Sequence, residues 1–182
     1  GPLTKNYGDE LRGDIITDAE NNIYISSVTS SDDFPIVNGY DSTYNGGDTD
    51  ALLIKLKPDL SAILWSTFLG GSGVDASHTL KLDPNNAVFL AGGTTSADFP
   101  VKESAYQPLH QGDADGWIAH VGNEGDTIYN ATYTGTNSFD QIYFLDINQA
   151  GDVYVYGQTT GDFLVTPGVY HNPNSGQFIQ KF

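Results

Sequence analysis

Ile23-Tyr24-Ile25, Val88-Phe89-Leu90 and Val153-Tyr154-Val155 stand 65 residues apart and then 65 again. Each is a short run of β-branched and aromatic side chains, the composition of a strand rather than a helix. The same offset aligns Ile15 with Leu80 and Leu145, and the turn residues Asp18, Asp83 and Asn148. Downstream, Thr29-Ser30-Ser31-Asp32-Asp33-Phe34-Pro35 returns as Thr94-Thr95-Ser96-Ala97-Asp98-Phe99-Pro100. It returns again, one residue shorter, as Thr159-Thr160-Gly161-Asp162-Phe163. A fixed period of this length marks a tandem array of one supersecondary unit.

The unit contains four such runs, expected as strands near 15–18, 23–28, 51–57 and 63–69 and repeated at plus 65. Asn-, Asp-, Gly- and Pro-rich turns separate them, and no segment carries a helical period. The longest gap, residues 30–49, reads as a loop. The expected architecture is therefore all-β: about three four-stranded antiparallel blades of a β-propeller, each burying both faces only against its neighbours. The repeats are placed at 15–79, 80–144 and 145–182, the third incomplete. Residues 1–14 are expected to be the tail of a preceding blade, with a strand at Leu3–Tyr7. On this reading the whole chain, 1–182, is one propeller segment, either part of a longer propeller or completed by another copy.

Twenty-three acidic residues against seven basic ones give a net charge of −16, a field that repels nucleic acid. No run of 18 apolar residues offers a membrane helix. With no cysteine, disulfides and thiolate metal sites are excluded.

The ordered motifs Asn22, Tyr24, Thr29-Ser30, Asp33-Phe34-Pro35, Tyr40, Gly47-Asp48, Lys55-Leu56, Pro58 and Ser66 to Gly71 cover most of one unit. In this order they resemble the SBBP ("beta-propeller") repeat of bacterial secreted and surface proteins. The resemblance implies a propeller on an extracellular or cell-surface protein, in adhesion, gliding or type IX secretion contexts, and implies no activity.

Positions shared by all copies serve the scaffold, so a ligand site is expected among residues that break the repeat. Tyr44, His110, Trp117 and His120 are the candidates, aromatic platforms with polar neighbours suited to a protein or glycan partner. Trp65 and His78 also break it, while the alternative reading makes Trp65 and Trp117, in strand-like runs, inter-blade core and His110 and His120 solvated or satisfied histidines. Asp48, Asp50, Asp113 and Asp115 alternate as carboxylate ligands of calcium do, although further ligands of a calcium loop are missing. Because Asp48 and Asp113 recur at one repeat position, the favoured reading is that these aspartates hold the turn entering the third strand. Asp33, Asp98 and Asp162 are expected to accept amides of their own tight turns, and Tyr40, Tyr106 and Tyr170 to pack.

No nucleophile elbow, zinc-protease motif or phosphate loop is present. The expected function is a non-catalytic interaction, adhesion or spacer module, with a calcium-stabilised segment and a propeller lyase or hydrolase as alternatives. The expected partners are other blades, a second copy, or a surface protein or glycan.

Overall fold

The computed structural model describes residues 13–172 and 174–182; the expected strand at Leu3–Tyr7 falls outside them. The described residues form strands and loops without any helix, so no helix crosses a membrane. The first sheet holds β1 (Asp14–Thr17), β2 (Ile23–Thr29), β3 (Asp50–Leu56) and β4 (Ile63–Leu69). The second holds β5 (Asp75–Leu82), β6 (Val88–Thr94), β7 (Asp115–Val121) and β8 (Ile128–Thr134). The third holds β9 (Asp140–Ile147), β10 (Val153–Thr159) and β11 (Gln177–Lys181). Within each sheet consecutive strands pair antiparallel in chain order.

Each sheet opens on the same hairpin, and its turn chemistry is local. The Asp18 carboxylate accepts the amides of Glu20 and Asn22 at 3.0 and 2.8 Å. Asp83 does the same for Asn85 and Ala87, and Asn148 for Ala150 and Asp152. These side-chain caps hold the turn while one residue enters the left-handed region: Asn21 at φ 64°, Asn86 at 61° and Gly151 at 86°. A basic side chain on the third strand then meets a carboxylate of the hairpin turn. Lys55 Nζ lies 3.7 Å from Asp18, His120 Nε2 3.3 Å from Asp83, and Lys181 Nζ 2.8 Å from Asp152.

Strand alternation gives every sheet two faces, and both internal seams use the same register positions. Tyr24, Ala51 and Leu53 of the first sheet pack against Leu80, Val88, Leu90 and Trp117 of the second. Ala91 and Ile118, on the opposite face of the second sheet, pack against Ile142, Leu145, Val153 and Val155 of the third. Each fully buried aliphatic side chain contributes about 1.5–3 kcal/mol. The outer face of β3 is covered differently: Leu52, Ile54 and Phe68 lie under Phe34, Ile36 and Tyr44 of the 30–49 loop.

Two details depart from the sequence reading. β5 and β9 begin at Asp75 and Asp140, earlier than the strands expected from Leu80 and Leu145, so a repeat phase starting at residue 15 cuts through both. Their first halves bury Ser77, His78 and Gln141, and buried polar side chains hide the alternation on which a strand is recognised. Asp98 does not cap its own turn either. Its carboxylate accepts the Ser72 amide at 2.8 Å and the Ser72 hydroxyl, tying its loop to the turn that leaves the first sheet.

Candidate functional site

The second seam contains a cavity of about 220 Å³. Its floor is Ile118 of β7 and Val153 of β10, which alternation places on the seam-facing side of their strands, and β8 contributes Asn130 and Thr132 from the same face. Phe89, Tyr106 and Phe182 wall it with aromatic rings, Tyr106 meeting Phe182 edge-on at 5.5 Å. The polar groups on the rim are Lys102, Ser104, His120, Asn130 and Thr132, and no carboxylate lines it.

His120 is directly opposite Phe89 on the paired strands, and the two rings stack with centroids 3.8 Å apart. Tyr129 meets the imidazole edge-on at 5.2 Å. Burial lowers the imidazole pKa below its ordinary value in spite of the Asp83 carboxylate, so the ring is neutral at pH 7. The Lys102 ammonium donates to the Tyr129 carbonyl at 2.6 Å. The space these groups surround is lined chiefly by Phe89, Ala105, Tyr106, Ile118, Val153 and Phe182.

A second arrangement recurs at both seams. Asp50 opens β3 and Asp75 opens β5, and their carboxylates close on Gly70, where a Cβ would sit 2.7 Å from Asp50 Oδ1 and 2.9 Å from Asp75 Oδ2. Asp115 and Asp140 close on Gly135 in the same way, at 2.6 and 3.0 Å. Only glycine fits between them. All four residues have 0% exposure. One oxygen of each is a staple: Asp50 Oδ2 accepts the Asn45 amide, Asp115 Oδ2 the Gln111 amide, Asp75 Oδ2 the Gly71 amide and Asp140 Oδ2 the Thr136 amide. Asp50 Oδ1, Asp115 Oδ1 and Asp140 Oδ1 have no hydrogen-bond partner among the described residues. Burial first, and the neighbouring carboxylate after it, push Asp50 and Asp115 each up to about 6.

The residues singled out from sequence are dispersed by this fold. Trp117 is fully buried, its indole stacked near Phe99 and its Nε1 donating to the Gly93 carbonyl at 3.1 Å. Three positions along the same strand, His120 faces the opposite seam and the cavity. Tyr44 packs edge-on to Phe68 in the first sheet's loop, with its hydroxyl on the Gly47 carbonyl. His110 is half-buried beside Tyr133 and Asp115. Of the four aspartates proposed for calcium, Asp48 and Asp113 are exposed while Asp50 and Asp115 point inward to the glycine sites. Among the described residues, no three His, Asp or Glu side chains come together as metal ligands would.

Sequence reading missed Ser104, Asn130 and Phe182 as cavity residues. The signal for Asn130 is the repeat itself, because it stands where Trp65 stands in the first unit. The chain matches no family model and no curated protein.

Proposed function

We propose that the chain is a run of propeller blades of the SBBP-like repeat type, working as a non-catalytic interaction or spacer module of a secreted or cell-surface protein. The observation that carries this reading is the pair of open faces. Tyr154, Tyr156 and Ile179 of the third sheet occupy the register positions of Phe89, Ala91 and Ile118. In the second sheet those positions are seam residues; here Ile179 is 75% exposed and Phe144 beside it 61%. On the first sheet, Ile15, Ile23 and Ile25 hold the positions that Leu80, Val88 and Leu90 bury, and Ile15 is 65% exposed. A patch of contiguous aromatic and aliphatic side chains is a docking surface. The two patches are the two halves of the seam this chain builds twice internally, so a further sheet of the same kind completes each.

The occupant available to the isolated chain is a second copy, joined third sheet to first sheet. The expected result in size-exclusion light scattering is a mass rising above 19.6 kDa with concentration, and a return to monomer in Ile179→Lys. A constant monomer mass at every concentration would count against the open faces as blade seams. The net charge of −16 repels phosphate backbones, which supports a protein or glycan partner over nucleic acid.

A further inference from the structure

The two seams differ at the β4 or β8 position that faces them. In the first, Trp65 is 3% exposed and fills the space beside Tyr24, its ring edge-on at 6.0 Å and its Nε1 donating to the Asn123 carbonyl at 2.9 Å. The walls around it correspond to those of the second seam: Tyr24 to Phe89, Leu53 to Ile118, Thr67 to Thr132 and Val88 to Val153. In the second seam the residue on β8 is Asn130, and the cavity of about 220 Å³ lies beside it.

We propose that this cavity is a binding site for a small, neutral, planar aromatic molecule of indole size, which occupies the place that the Trp65 side chain fills one repeat earlier. An apolar cavity of this kind takes an aromatic ring in preference to water. The size excludes anything much larger than one bicyclic ring, since ordinary ligand pockets run from roughly 300 Å³ upward. The lining excludes charge. No carboxylate is present to hold a cation, the Lys102 ammonium is already engaged by a carbonyl, and the chain's −16 charge disfavours an anion. The stacked Phe89–His120 pair offers a ring face, while Ser104, Asn130 and Thr132 offer hydrogen-bond partners to one polar edge.

Indole titrated into the ¹⁵N-labelled chain tests this directly. The expected result is saturable shifts confined to the amides around Ser104, Asn130, Ala131 and Thr132, with a dissociation constant on the order of 1 mM. Asn130→Trp supplies the ring covalently. It is expected to weaken indole binding at least tenfold and to raise the melting temperature by several degrees, because the cavity is filled without a new clash. Ser104→Trp, on the exposed rim, closes the mouth and reads the same loss of binding if Asn130→Trp fails to fold.

The proposal is overturned if indole produces no saturable shifts, or if Asn130→Trp binds it as well as the native chain does. It is overturned equally if cyclohexanol binds as tightly, or if N-acetyltryptophanamide binds where free indole does not. The cavity belongs to an internal seam, so occupancy is read alike in monomer and associated chain.

Discussion

Replacing Asp50 and Asp115 together by asparagine is expected to raise the melting temperature at pH 7 by about 5–10 °C and to flatten its dependence on pH. Both side chains are fully buried, and each faces a second buried carboxylate across a glycine. An unfolded Asp titrates near 3.9, whereas these titrate at about 6 in the folded chain. The sign follows from proton counting. Between these two values the native state holds more protons than the unfolded one, so stability falls as pH rises through this window. Above it both groups are ionised in a dry site, at a ceiling cost of about 3 kcal/mol each. Acidification from pH 7 to 5 should therefore stabilise the native protein.

Asparagine keeps what the carboxylate does well. Its carbonyl can accept the Gln111 amide at position 115, as Asp115 Oδ2 does at 2.8 Å, and its NH₂ puts no charge beside Asp140 across Gly135. The double variant should thus melt at nearly the same temperature from pH 7 to 5. Below about pH 4 both proteins should lose stability, as carboxylates held low by backbone amides, such as Asp98 on Ser72, become protonated. Thermal melts across pH 3–8 decide it. An unchanged or lower melting temperature of the double variant at pH 7 would mean that the paired carboxylates are not a source of strain.

The period of 65 residues is enough to place three sheets, their hairpins and their order, because Asx turns and β-branched runs are local signals that repeat without alteration. It is not enough to pair the aspartates. Asp48 and Asp50 are neighbours in sequence and look like alternate ligands of one ion. The loop leaves Asp48 outside, however, and the start of β3 turns Asp50 inward, to a partner 25 residues away. That partnership exists only after β4 has crossed the sheet and returned the chain to Gly70. The cavity is hidden for a similar reason. Asn130 is unremarkable as a residue, and its meaning comes from the indole that a three-dimensional superposition of the seams requires in its place. Trp117 is the converse case. It breaks the repeat where Leu52 stands, which admits a ligand platform, but it lies in a strand-like run that reads as core, and the fold uses it for packing.

That use of Trp117 predicts the largest single loss. Gly92 lies directly opposite it on β6, where the Ala76 carbonyl of β5 would stand 1.8 Å from any Cβ. The ring is held by Phe99 at 4.7 Å and by its own N–H on the Gly93 carbonyl. Trp117→Ala empties this space, and large-to-small changes of this kind cost about 3–5 kcal/mol. For a chain of this length the melting temperature should fall by roughly 10 °C. Trp117→Phe keeps most of the ring and removes only the hydrogen bond, for about 1 kcal/mol. Because residue 117 and the cavity-facing Ile118 and His120 project to opposite sides of β7, the Phe variant should bind indole as the native chain does. Chemical denaturation and the same titration separate the two roles. A Trp117→Phe chain that keeps its stability but loses the ligand would show that the buried indole reaches the site after all, and that the two faces of the second sheet are coupled through β7.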